Sequence, residues 1–362
     1  MNKRIRVLHT EWSNGWGGQE IRIINEMNAV REKGVEVFLA CREDAVIKNK
    51  ALDNNIQVFT LSFRGNIDFK TVFDLVRIIK KYSIDIVNTH SGKDTWVSGL
   101  AAKLAGIKFI RTRHLSHRIS SSRSNFINEL ADYVFTTGES VREDMIKYNR
   151  IKSHKIESIP TGIDSTIFNP DNYDIALCRQ QFNLRDDEIA IGILAVLRKF
   201  KRHDLFLKMA KAIIDKYSNK KFVFIIAGDG PQKNSIQKII NDLNLTSHII
   251  FLGHVDKVSE LLSALDILVL SSDSKEGVPQ SVMQGLFMNK SVVATNSGST
   301  KDLLNNNNFQ LVGTDSSIEL VNGVSYYIDN NKIKSNRTLI DEKFSLNFMS
   351  KKIVGIYNHL LS

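Results

Sequence analysis

The sequence predicts an α/β protein made of two doubly wound, Rossmann-like domains that face one another across a cleft. Three observations carry that expectation. Short β-branched runs alternate with amphipathic helical stretches along nearly the whole chain, the pattern of repeated βαβ units around a parallel sheet. The alternation breaks once, at Gly162 and the polar Phe168–Asp174 segment with Pro170, and then resumes. At 362 residues the chain is also longer than a typical single core allows. The expected domains are therefore residues 1–165 and 166–345, joined near 163–175.

Taken in order, the strands expected in the first half are Ile5–Thr10, Val35–Cys41, Gln57–Leu61, Asp85–His90, Lys108–Arg113 and Tyr133–Thr137. Helical spacing lies between them, as at Asp68–Tyr82 and Asp94–Leu104. The second series is Ile189–Leu197, Phe222–Ala227, Ile249–Leu252, Ile267–Leu270, Ser291–Ala294 and Gln310–Gly313, with helices at Asp204–Tyr217, Gln232–Leu243 and Lys257–Leu265. Leu346–Leu360 has helical periodicity, and Asn305–Asn308 reads as a loop. Ligands of such sheets bind outside the carboxyl ends of the strands, and a cleft between two domains is the default site.

Composition narrows the class. The chain is 42% hydrophobic and 24% charged, which is globular. Two cysteines, Cys41 and Cys178, lie far apart without metal-ligand spacing, which suits a reducing cytosol. The segment Glu11–Gln19 is too polar for a signal-peptide core, and no run approaches the ~18 apolar residues of a membrane span. The expected location is cytoplasmic, peripheral to a membrane at most.

The formal charge is +10, with 49 basic and 39 acidic residues. Nucleic acid, an anionic membrane face and phosphorylated small molecules all fit such a charge. Nucleic acid has no supporting zinc-finger spacing, RNA-binding aromatic signature or basic tail. Arg111, Arg113, Arg118 and Arg123 cluster near Phe109 and Phe126, which would suit lipid headgroups or phosphate.

Several strand ends carry candidate chemistry. After Ile267–Leu270 a polar loop leads to Glu276, Gly277, Val278 and Pro279, and Pro279 opens an apolar helical segment. Proline suits a first turn, whose N–H groups lack internal partners, so a carboxylate would stand beside peptide donors at a helix N-terminus. An ordinary solvated turn is the plainer reading. Gly15-Trp-Gly17-Gly18-Gln-Glu20 follows the first strand and would let backbone approach a ligand. It is not the dinucleotide fingerprint, which needs glycine where Glu20 stands.

Arg198 and Lys201 follow Ile189–Leu197, where two cations could neutralise a diphosphate, and a solvated basic turn is the alternative. Ala227-Gly228-Asp229-Gly-Pro231 is a similar turn, with Asp229 readable as a helix N-cap. His114 and His90 both end strands. No Asp-x-Asp occurs, so no metal is expected to hold a nucleotide diphosphate, and no nucleophile elbow anchors a hydrolase.

These residues, with Ile159-Pro-Thr-Gly-Ile-Asp164, Phe168 and Phe251-Leu-Gly, resemble the retaining glycosyltransferases of family 4, also called group 1. The resemblance covers nearly the whole chain and is strongest over residues 189–302. It implies the two-domain fold called GT-B, with a nucleotide-sugar donor held mainly by the second domain. It also implies a last helix, residues 346–362, crossing back to the first domain.

By the same resemblance Glu276 would contact the donor sugar, with the Gly277 and Val278 amides near sugar or phosphate. Arg198 and Lys201 would hold the diphosphate, and His114 would contact the transferring sugar. Gly17, Gly18, Gly228, Asp229 and Val255 would complete the donor site, with Glu20, His90 and Arg113 on the acceptor side. The expected activity is transfer of a sugar with retention, without cofactor or metal, to a glycan or lipid-linked hydroxyl in polysaccharide or lipopolysaccharide synthesis. Gln284 departs from the family, which usually has a second glutamate there for the ribose. Thr161 and Asp302 depart too, at positions where asparagine and glutamate are common. A non-catalytic donor-binding subunit and a nucleotide-sugar epimerase remain the alternatives.

Overall fold

A computed structural model describes residues 4–66, 68–114, 119, 123–273, 276–304, 308–330 and 337–362. The chain forms two compact units, Met1–Gly162 with Phe344–Ser362, and Ile163–Lys343. Arg118 and residues 305–307 of the expected asparagine loop lie outside the described residues.

The first unit is built on seven strands: β1 (Arg6–Glu11), β2 (Glu36–Cys41), β3 (Gln57–Thr60), β4 (Ile86–Thr89), β5 (Lys108–Arg113), β6 (Tyr133–Thr136) and β7 (Ile156–Ser158). They pair in the order β3-β2-β1-β4-β5-β6-β7, every pair parallel. Side chains alternate across a strand, so a sheet covered on both faces needs two cores. Val7, Ile86, Ile110 and Phe135 pack on one face with Ile23 and Met27 of the helix Gly18–Arg31 and with Met349, Ile353 and Tyr357. Leu8, Val87, Phe109 and Val134 face the other way, against Leu75, Val97 and Met145. The helix Leu346–Leu361, capped by the Ser345 hydroxyl accepting from the Phe348 N–H, thus completes a core of the first unit.

The second unit has six parallel strands: β8 (Glu188–Leu194), β9 (Lys221–Ala227), β10 (Ile249–Gly253), β11 (Ile267–Leu270), β12 (Ser291–Thr295) and β13 (Gln310–Val312). Their order is β10-β9-β8-β11-β12-β13. One core joins Ile191, Ile193, Phe224, Val269 and Val293 to Phe206, Ile213 and Val324 of its helices.

Four expectations are corrected. The strand after residue 189 stops at Leu194, not Leu197. Ala195–Leu197 instead runs against the backbone of Gly228 and Gly230, so close that a Cβ on Gly228 would lie 2.0 Å from the Ala195 oxygen. Asp229 is not an N-cap; the next helix, Lys233–Asp242, starts from Gln232, and the Asp229 carboxylate accepts from the Gly230 N–H. Two arginines of the expected basic cluster are not surface residues, since Arg111 is 2% exposed and Arg113 is half-buried. Finally, the helix Ser317–Asn330 went unassigned because Gly323 interrupts its pattern. That glycine lets the helix approach β12, where a Cβ would lie 2.7 Å from Val293 Cγ1. Among the described residues no helix is long and apolar enough to cross a membrane.

Candidate active site

In each sheet the strand order reverses at one point, and a crevice opens there beyond the carboxyl ends of two strands. In the second unit that point lies at β8 and β11. The turn Lys199–Lys201 follows β8 and the Glu276 loop follows β11. There Lys201 Nζ forms an ion pair with Glu276 Oε1, although 75 residues separate them. The Ser272 hydroxyl donates to the same oxygen at 2.5 Å. Both charged side chains are largely buried, at 15% and 9% exposure, so the pair is screened less than a surface pair.

Backbone contacts hold the two loops together. The Ser271 hydroxyl donates to the Lys201 and Arg202 carbonyls at 2.9 and 3.0 Å. The Asp273 N–H donates to the Phe200 carbonyl at 2.8 Å, and Thr295 Oγ1 donates to the Ser272 carbonyl at 2.7 Å. Gly298 packs directly on the Glu276 peptide with φ of +54°.

The remaining candidates of this unit share that edge of the sheet. Gly277 and Val278 are half-buried beside Glu276, and Gln284 is half-buried in the second turn of the helix Gln280–Phe287. Pro279 is the residue before that helix, not its first member. Gly228 and Asp229 follow β9, and half-buried Val255 follows β10. Arg198 is exposed and opens on an adjoining hollow of about 510 Å³, lined also by Arg202, Gln232 and Asp273. Lys201 and Glu276 are not part of that lining.

In the first unit the order reverses at β1 and β4. Gly17 precedes the helix Gly18–Arg31, and its φ of −161° is extended backbone open to any residue. A Cβ there would meet Glu20 Oε2 at an ordinary 3.6 Å, so local packing does not require glycine. Glu20 is 6% exposed and accepts from the Gly17 N–H at 2.9 Å, which closes the start of the helix. His90, just past β4, is buried and donates its backbone N–H to Asp94 Oδ2 at 2.9 Å.

Arg113 ends β5 and His114 follows it. Burial, then the neighbouring Arg22, Arg111 and Arg113, holds the His114 imidazole well below its usual range. Burial and Arg111 bring Arg113 down to about 10.

Sequence reasoning missed His9, Glu11 and Asp94 at this edge, and read Arg111 as part of a basic surface. Glu11 is fully buried and accepts from the Ser13 N–H at 2.7 Å and from Gln19 Nε2 at 2.5 Å. Burial, reinforced by Asp94, pushes its carboxyl up to about 7. Burial also raises Asp94, against the opposing pull of Arg111. For His9, Glu11 and Arg111 the signal is a polar residue inside or ending a strand, whereas Asp94 stands in the first turn of the helix Gly92–Ala105. Among the described residues no three His, Cys, Asp or Glu side chains are grouped to hold a metal ion.

Known proteins share the sequence family and the fold. Residues 174–343 match the family described as glycosyl transferases group 1, and residues 16–166 match glycosyltransferase family 4. An Escherichia coli UDP-Gal:alpha-D-GlcNAc-diphosphoundecaprenol alpha-1,3-galactosyltransferase is 25% identical over 84% of this chain and 83% of its own. The putative glycosyltransferase EpsF of Bacillus subtilis is 26% identical over 76% of this chain and 74% of its own.

A glycosyltransferase structure from Rickettsia africae superposes with a TM-score of 0.90 at 22% identity, covering 99% of both chains. Anabaena HepE in complex with UDP and glucose gives 0.84 at 18% identity, over 98% of this chain and 100% of its own. At those identities the structural likeness speaks for the fold. The paired matches to both halves speak for the family: this chain belongs to the group 1 glycosyltransferases of family 4.

Proposed function

We propose that the protein is a retaining, metal-independent glycosyltransferase. It would move a hexose from a nucleoside-diphosphate sugar to a hydroxyl of a glycan or lipid-linked acceptor, in making cell-surface polysaccharide or lipopolysaccharide. The observation that carries this reading is the Lys201–Glu276 pair at the reversal point of the second sheet, with Arg198 three residues before the lysine. UDP as the nucleotide product and a diphosphate-lipid acceptor are supported by the proteins just named.

The chemistry follows from charge. As the bond from the anomeric carbon to the diphosphate breaks, negative charge grows on the leaving oxygen, and fixed cations stabilise that change. Lys201 and Arg198 supply two positive charges there, the role a metal ion fills elsewhere. Glu276 accepts from sugar hydroxyls, held in place by its ion pair with Lys201. The acceptor hydroxyl bonds to the anomeric carbon on the face the diphosphate leaves, and its proton passes to the departing phosphate oxygen. UDP release from a panel of UDP-sugars, measured with and without chelator, tests the reading. Turnover that needs an added divalent ion would remove metal independence, and UDP binding without turnover would leave a donor-binding subunit.

Gln284 offers the ribose a neutral acceptor where a carboxylate would bind more strongly. Gln284→Glu is therefore expected to lower the donor KM about fivefold with little change in kcat. An unchanged KM would place Gln284 away from the ribose.

A lipid-borne acceptor also calls for a membrane-facing surface. The helix Phe69–Lys81 exposes Phe69 and Phe73, at 66% and 61%, one turn apart and beside exposed Lys70, Arg77, Lys80 and Lys81. Cations with exposed aromatic rings suit an anionic bilayer. Flotation with phosphatidylglycerol vesicles is expected at low salt and lost at high salt, and Phe69→Ser with Phe73→Ser should weaken it. Equal flotation of that variant would dismiss this face.

A further inference from the structure

The reaction proposed above assigns no step to His9, His90 or His114, and the first two are buried. His9 on β1, His90 after β4 and His114 after β5 lie on three neighbouring strands. Their side chains form a chain: His9 Nδ1 lies 2.9 Å from His90 Nε2, and His90 Nδ1 lies 2.9 Å from His114 Nε2. Ring centroids are 5.2 Å apart at both steps. His9 is fully buried, His90 is 1% exposed, and His114 is half-buried.

Proton counting limits what this chain can be. A neutral imidazole carries one N–H and one lone pair, and each 2.9 Å contact needs one hydrogen on it. All three rings must then carry the hydrogen on the same nitrogen, either Nδ1 throughout or Nε2 throughout. Any mixture sets two lone pairs, or two hydrogens, face to face. Burial keeps the rings neutral, bringing His9 down to about 3 and His90 and His114 well below the usual range.

The inner end decides which arrangement wins. Among the described residues His9 Nε2 is buried with no hydrogen-bond partner. The Nε2 arrangement would leave an unpaired N–H there; the Nδ1 arrangement leaves a lone pair. Buried N–H groups without partners are rarer than acceptors without donors. The nearby carboxylate of Asp94 is engaged by the His90 backbone N–H and by Thr10 Oγ1, not by the rings.

We propose that His9 and His90 are positioning residues that hold His114 in its Nδ1–H form, so that its remaining nitrogen is a fixed hydrogen-bond donor to a ligand oxygen. That the oxygen belongs to the transferring sugar rests on the function proposed above; the tautomer itself does not.

Histidine ¹⁵N NMR of the full chain without substrate reads the tautomers directly. Three rings protonated on Nδ1 are expected, and a His114 protonated on Nε2 overturns the proposal. His9→Phe removes the donor to His90 and is expected to shift His114 to a mixture of forms and lower kcat about tenfold, the effect of one mis-set hydrogen bond. His9→Asn returns an amide donor near the Nδ1 position and should recover both the His114 signature and most of kcat. A His114 signature unchanged in His9→Phe overturns the lock, and unchanged kcat with a shifted signature overturns its use in the reaction. Should the wild type transfer no sugar, the proposed function fails while the NMR result still stands or falls alone.

Discussion

Replacing Glu276 with alanine is expected to lower kcat about 100- to 1,000-fold, the loss typical when a preorganised polar partner of the reacting group is removed. The side chain is largely buried, paired with Lys201 and hydrogen-bonded by Ser272, so its position is set before any ligand arrives. Lys201→Ala should do comparable damage for a different reason. It removes a charge that offsets the growing negative charge of the leaving phosphate, and it leaves Glu276 buried without its cation. Because the two act as a unit, the double variant should be little worse than either single one. Initial-rate kinetics on donor and acceptor decide the matter. Wild-type turnover in both single variants would remove the pair from the reaction.

The second large effect is expected from Gly298→Ala. Its φ of +54° disfavours any side chain, and a Cβ would fall 1.7 Å from the Glu276 carbonyl oxygen. Backbone cannot yield as the end of a flexible side chain can, so the Glu276 peptide must move. The expected cost is about 3 kcal/mol of stability, combining left-handed strain with displaced backbone. Activity should fall with it, since Glu276 is carried along. Gly253→Ala is the control: φ is +70° and no atom lies within 4 Å of the added carbon. It should cost only about 1–2 kcal/mol, the left-handed penalty alone. Denaturant midpoints for the two variants separate these cases, and equal shifts would show that the Glu276 contact is soft.

Much of this molecule was readable before the structure. Apart from β7 (Ile156–Ser158), which was not expected, the strands from Val35–Cys41 to Gln310–Gly313 were found to within a few residues, because alternation of β-branched runs with helical stretches is a local property. Glu276, Arg198, Lys201 and His114 were singled out as candidates by their place just past strand ends, where ligands of parallel sheets bind. The helices Val46–Asp53 and Ser317–Asn330 were not found. The first is short and the second is broken by Gly323, which tertiary packing against β12 justifies and periodicity cannot.

The arginines near residue 111 misled for a related reason. Arg111 sits in an alternating strand with charged neighbours and reads as surface, yet both faces of that sheet are covered and it is buried. His9 was passed over as one polar residue in an apolar run. Its meaning lies 81 residues away in His90, and then in His114.

The order of residues along the chain thus determined the class of fold, the division into two units and which strand ends carry charge, since each depends on neighbours within a few positions. Three matters were decided only in three dimensions: that Lys201 meets Glu276, that three imidazoles line up, and that Gly298 lies on the Glu276 peptide. Those contacts depend on which strands lie side by side and in what register, and parallel neighbours are joined through long crossovers. Their pairing is set by burial on both sheet faces, to which residues from the whole unit contribute.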